Sequence, residues 1–242
     1  YRKYGGNFIT ILFFTQGFWA SFQYRVAHAV HMMSIPILKQ LLQLLCLIWQ
    51  KIIEMSTGIS IPASAQIGHS FYIGHFGGVI LNAKTIIGNN CNISQGVTIG
   101  ISGQGKNRGV PKIGNNVYIG ANVVIAGNIY IEDNVFIATG ASIFHAARLM
   151  KGSEVQINGV VHIKTQLDEN SVVPIGWIAV GNPARIFPPN NHEEIWEIQQ
   201  SLQFSKTVYG VNRPDNGGPN SMQSICMEMS KRLKSYFEDD VD

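Results

Sequence analysis

The sequence predicts a mainly β protein, a parallel β-helix of six-residue units with helical extensions at both ends. Three observations carry that reading. From Ile113 to Ala179 every sixth residue is apolar: Ile113, Ile119, Ile125, Ile131, Ile137, Ile143, Leu149, Val155, Val161, Leu167, Val173 and Ala179. A helix repeats near 3.6 and a half-buried strand near 2, so an unbroken period of six marks a hexapeptide solenoid. The same register runs upstream through Ile61, Ile67, Ile73 and Val79, and after a shift of two residues through Leu81, Ile87, Ile93 and Ile99. Between Ile99 and Ile113 the count breaks at ISGQGKNRGVPK, polar and Gly-rich, which reads as a loop over 101–112 pushed out of one coil.

The elements follow in order. Residues 1–54 read as helical, and PILKQLLQLLCLIWQKII has Pro36 in its first turn and leucines on more than one face. Such a helix must be covered by protein or lie on a membrane surface, so peripheral membrane contact through 36–53 is one expectation. His28 and His31 could share a helical face, but two ligands do not make a metal site. The prism occupies 55–187. Its sixth-position side chains point inward, three units close a triangular coil, and coils must stack to bury their faces. Gly68, Gly74, Gly88, Gly100, Gly114 and Gly120 each follow a buried Ile, where a corner of positive φ is expected. Prolines in GNPARIFPP end the ladder. In 188–242 a helix follows, capped by Asn190 or Asn191, then the linker VNRPDNGGPNS and a last amphipathic helix.

Net charge is +3 but unevenly placed. Residues 1–131 carry nine Lys/Arg and one acid, Glu54, whereas 132–242 carry nine Lys/Arg and fourteen acids. The positive half favours an anionic ligand. Cys46, Cys91 and Cys226 lie far apart without metal spacing, which suits a reducing, cytoplasmic compartment. No clear cleavage site follows the first apolar residues, so no secretory signal is expected. Nucleic acid is not expected as a partner.

The stretches IPASAQIGHSFYIGHFGGVILNAKTIIGNNCNISQGVTIG and GVPKIGNNVYIGANVVIAGNI resemble the serine acetyltransferase branch of the hexapeptide-repeat acyltransferases, over roughly residues 10–143. The resemblance implies a left-handed parallel β-helix, a homotrimer and acetyl-CoA as co-substrate, with no metal. It places a general base at His75, in GHFGG. Imidazole, with an ordinary pKa near 6.5, suits removal of a hydroxyl proton at neutral pH. It also implies cofactor-binding positions at Gly100, Ser102 and Gly103 and at the small positions Gly120, Ala121 and Thr139. Lys106, Arg108 and Lys112 are candidates for the phosphates.

Four positions depart from the family pattern. A second active-site His falls at Val110, an Arg at Gly109, the Asp that orients the base at Ser60, and the Asp preceding the base at Gly74. With no Asp or Glu between Glu54 and Glu132, only Glu54 or an acid from a distant coil or the C-terminal tail could partner a buried ammonium. These departures favour a neutral acceptor, a sugar or polysaccharide precursor, held by Asn82, Asn92, Ser94 and Gln95, with Ser60 orienting the base. A serine O-acetyltransferase of cysteine biosynthesis is the alternative. A second resemblance, from about 135 to 213, is to γ-carbonic-anhydrase-like proteins, and it implies a zinc protein as a rival. That chemistry needs three His ligands, and the chain offers His69, His75, His145 and His162. A non-catalytic binding or scaffold β-helix is the remaining reading.

Overall fold

The structure is a computed structural model, and it describes residues 7–212 and 221–238. Three parallel sheets form the faces of a left-handed triangular prism. Sheet A contains Ile59–Ser60, Val79–Leu81, Thr98–Gly100, Val124–Ala126 and four further strands; sheets B and C contain six strands each. A regular coil is 18 residues long, as the pairing of Ile131 with Leu149 shows. The sixth-position residues from Ile113 to Ala179 are all 3% exposed or less. Within each strand the side chains alternate, so residues two earlier, such as Val97, Val123 and Ala141, also face inward. Removing one central isoleucine, as in Ile125→Ala, costs about 2–5 kcal/mol.

Two insertions interrupt the 18-residue coil, and both lie in segments that carry candidate site residues. Ile67 pairs with Ile87, twenty residues on, because the turn holding His75 is two residues longer. Ile87 pairs with Ile113, twenty-six residues on, because the loop after Gly100 adds eight. The loop has its own order: Ser102 and Gly109 form an antiparallel bridge, and Gly105–Asn107 is a short 3-10 turn.

The corner glycines differ from expectation. Gly68, Gly74, Gly88, Gly100, Gly114 and Gly120 do not have positive φ; that conformation falls on Ser70, Asn90, Asn116, Asn122, Asn134 and other corner residues. Close stacking explains most of these glycines instead. A Cβ on Gly68 would come within 2.7 Å of the Gly88 backbone, and one on Gly120 within 2.6 Å of Thr139 N.

Helices close both ends. Helix α1 is Phe8–Phe14, α2 is Gln16–His31 and α3 is Pro36–Thr57. α2 caps the first coil and satisfies strand groups that have no strand beyond them. Tyr24 Oη donates to Ala65 O at 2.8 Å, Arg25 Nη1 donates to Ile67 O at 2.7 Å, and His28 Nδ1 meets Ala63 O at 2.8 Å. α3 packs on α2 and ends at Gly58, in the left-handed conformation with φ 69°. At the other end Arg185–Phe187 turns back antiparallel to Ile178–Val180. α4 (His192–Leu202), capped at Asn191, α5 (Phe204–Tyr209) and α6 (Ser221–Glu238) follow. Residues 213–220, most of the expected linker, lie outside the described residues.

Candidate active site

His75 sits on the longer turn between Tyr72–Ile73 and Val79–Leu81, and its ring is exposed. The turn is fixed from both sides. Gly77 N donates to Thr57 O at 2.7 Å, which seats it against the last turn of α3. Gly96 N donates to Gly77 O at 3.0 Å, which seats the next coil above it. That contact continues as a ladder: Asn122 N to Gln95 O, Gly140 N to Ala121 O and Asn158 N to Thr139 O, at 2.8–3.0 Å. His75, Ser94, Gln95, Gly120, Ala121 and Thr139 therefore line one edge of the prism, where sheet C turns into sheet A. With ~4.8 Å per coil, they make a strip running up from the imidazole.

The other candidates lie elsewhere on the protomer. Gly100, Ser102, Gly103, Lys106 and Arg108 belong to the loop at the next edge, between sheets A and B. Asn82 is at that edge too, one coil below, and its side chain closes a local turn onto Lys84 N at 3.0 Å. Lys112 projects from sheet B beside Ile86 and Tyr130. Asn92 lies within sheet C, between Tyr72 and Tyr118. Within one chain the imidazole and the loop cations are separated by the width of sheet A. Two grooves along sheet B, one lined by Lys112, Tyr130 and Asp133 and one by His28, His31 and Gln66, also lie away from His75.

The loop is held at its base by close packing. A Cβ on Gly103 would stand 2.5 Å from His145 Cε1, and one on Gly109 would stand 2.7 Å from Asn128 Cβ. His145 is buried at 2% exposure, and its Nδ1 accepts from Asn128 N at 3.3 Å. Burial, reinforced by the charge of Lys164, lowers its pKa. Gly100 has a different reason to be small: a Cβ there would meet only Thr98 Cγ2, at 3.8 Å. No packing demand explains it, and it leaves open space beside the backbone at the loop entrance.

Glu54 acquires a place that sequence alone did not assign. It lies in the last turn of α3, beside the outer face of the first sheet A strand. Oε1 accepts from Ser60 Oγ at 2.7 Å and from Gln50 Nε2 at 2.9 Å, and Oε2 pairs with Lys51 Nζ at 2.5 Å. Burial pushes the carboxyl pKa up, but the bonds from Lys51, Ser60 and Gln50 outweigh it and hold the pKa below the usual range. Ser60 thus points to a carboxylate, and the acid-free stretch has an anion at its margin, on the helical turn that touches the His75 turn. The spacing of Glu54 and Ser60 across a helix end and a left-handed Gly58 carried no visible signal of this bond.

The histidines of the zinc reading do not converge. His145 serves the loop base, whereas His162 packs between Phe144 and Phe204, with ring centroids 6.2 and 5.9 Å away. Among the described residues no group of three or more His, Cys, Asp or Glu could hold a metal ion.

Comparisons with known proteins bear on the repeat and the fold. The family described as bacterial transferase hexapeptide (six repeats) matches residues 111–145. Serine acetyltransferase of Bacillus pumilus is 29% identical over 190 residues, 78% of this chain and 76% of that protein. The Synechococcus elongatus serine acetyltransferase is 34% identical over 113 residues, 47% of this chain and 43% of that protein. The chain carries hexapeptide repeats and is similar to serine acetyltransferases. Among solved structures, Neisseria gonorrhoeae serine acetyltransferase has a TM-score of 0.50 at 27% identity, covering 74% of this hexapeptide-repeat chain and 57% of its own. Isoform 3 from Entamoeba histolytica, in complex with cysteine, has a TM-score of 0.52 at 26% identity, covering 77% and 55%. The hexapeptide-repeat chain thus spans less than two thirds of those solved chains. The likeness supports an acyltransferase enzyme.

Proposed function

We propose that this protein transfers an acetyl group from acetyl-CoA to the hydroxyl of serine, with His75 as general base. The observation that carries the reading is the strip of His75, Ser94, Gln95, Ala121 and Thr139 along one edge, an exposed imidazole at the foot of a run of small and polar positions. Acetyl-CoA supplies the activated acyl group. Gly100, Gly103, Ala121 and Thr139 are positions where an extended arm meets little side-chain bulk, and Lys106, Arg108 and Lys112 are cations for its phosphates. His75 takes the hydroxyl proton as the oxygen attacks and gives it to the departing sulfur, so no covalent enzyme intermediate is needed. Because the loop and His75 occupy different edges, the complete site forms where the His75 edge of one protomer faces the loop edge of another, in a homotrimer. The free cysteines suit a reducing, cytoplasmic setting.

The preference for a sugar acceptor rested on the lack of a carboxylate near the base, and Glu54 changes that premise. Its ionised carboxylate sits on the helical turn bonded to the His75 turn, and a serine ammonium would take the place of Lys51, Ser60 or Gln50 on it. The relatives favour serine as well. Val110, Gly109 and Gly74, which replace polar groups of the family pattern, are the specific observation for a second reading, a sugar hydroxyl. An assay of acetyl-CoA consumption with serine and with a panel of neutral sugars separates the two. Serine turnover at roughly 10⁴ M⁻¹s⁻¹ or more is expected, and His75→Ala should lower it about 10²–10⁴-fold. Transfer to sugars alone would overturn the serine reading. Undiminished turnover in His75→Ala would overturn the role of the base.

A further inference from the structure

Helix α3 turns a second apolar face outward. The face turned toward α2 carries Leu42, Cys46, Trp49 and the buried Ile53 together with Lys39, Gln43 and Gln50, and Gln23 of α2 donates across that seam to Cys46 O at 3.3 Å. The outward face carries Ile37, Leu41, Leu44, Leu45, Ile48 and Ile52, each more than half exposed. Leu38 and Leu47 widen that face, at 41% and 57% exposure. At 100° per residue these side chains cover about half the circumference. Water does not favour that arrangement, since a solvated helix turns its polar arc outward. An apolar medium does.

We propose that α3 lies flat on an anionic lipid bilayer, with its leucine face in the acyl boundary. Charge selects this occupant. Residues 1–57 contain Arg2, Lys3, Arg25, Lys39 and Lys51 against one acid, Glu54. The Lys51 side chain, paired with Glu54, is 72% exposed within the apolar arc. Polybasic surfaces of this kind are drawn to anionic headgroups. A second copy of α3 fits less well. Helix pairs use a narrow seam rather than half a cylinder. α3 is long and apolar enough to cross a membrane, with a mean hydropathy of 1.2 over 18 residues. Yet its buried Ile53 and Thr57, and the direct passage through Gly58 into the first strand, tie it to the prism. Flat docking also holds the His75 turn beside the surface, because that turn rests on the end of α3.

Flotation of the full chain with phosphatidylcholine vesicles, with and without phosphatidylglycerol, tests the proposal. Anionic vesicles should carry the protein at least tenfold better than neutral ones, and salt at 1 M should remove most of that difference. Leu41→Glu with Leu45→Glu should lower binding more than tenfold while the circular dichroism of the prism is retained. Lys51→Gln should lower it about fivefold, and it supplies a reading if the double variant fails to fold. Three results would overturn the proposal: no flotation of the wild-type chain with anionic vesicles, retention after alkaline carbonate extraction, or an oligomer broken by the leucine substitutions in a chain that binds no vesicles.

Discussion

Burial decides the behaviour of single residues here more than charge does. His162 has an Nδ1 that is buried without a partner among the described residues, and burial pushes its pKa down to about 4. The unfolded value is near 6.5, so between those limits the unfolded chain binds a proton that the folded chain does not. Stability is therefore fully present above about pH 6.5 and falls as the pH drops toward 4, by no more than about 3 kcal/mol. His162→Phe should flatten that part of the profile, read as urea midpoints at pH 7.5 and pH 5. A variant with the same slope as wild type would place the titration elsewhere. Glu54 makes the opposite case, an acid kept charged by its donors. Glu54→Gln should lower kcat/KM for serine tenfold or more, with a urea midpoint close to wild type. Unchanged serine kinetics would remove Glu54 from the site.

At the scale of elements, the two insertions matter most. The coil supplies rigidity, and the longer His75 turn and the extruded loop are where it departs from its own period. The loop is not a free appendage, since its bridge and Gly103 sit on His145. Replacing Ser102–Arg108 by a short turn should therefore lower the melting temperature by a few degrees and weaken CoA binding at least tenfold. Calorimetric titration with CoA, beside a thermal melt, checks both. CoA affinity equal to wild type would exclude the loop from recognition, and Lys106→Ala with Arg108→Ala then tests its cations alone.

At the scale of the whole molecule, edges matter most. One protomer separates the imidazole from the loop by a sheet face, so the proposed site would be completed by another protomer. Light scattering should give three times the 26.7 kDa chain. Mixing His75→Ala with the loop-deleted variant should restore part of the activity, because some interfaces then pair an intact His75 with an intact loop. A monodisperse monomer with full turnover would end the shared-site reading.

The period of six, from Ile61 to Ala179, determined the solenoid without any tertiary information, because each repeat buries a side chain by the same local geometry. The break in that period between Ile99 and Ile113 also marked the loop over 101–112, whereas the two-residue shift before Leu81 did not show that the longer turn is the one holding His75. Corner chemistry was not legible in the sequence. The glycines after each isoleucine answer to backbones in the next coil, and positive φ passes to Asn and Ser residues further on. That distinction depends on which atoms lie one coil above, 18 or more residues away. The bond from Ser60 to Glu54 and the uncovered apolar face of α3 were likewise decided only by tertiary structure. The first joins a helix end to a strand across a left-handed glycine. The second depends on which face α2 covers, and a helix with leucines on several sides does not disclose that.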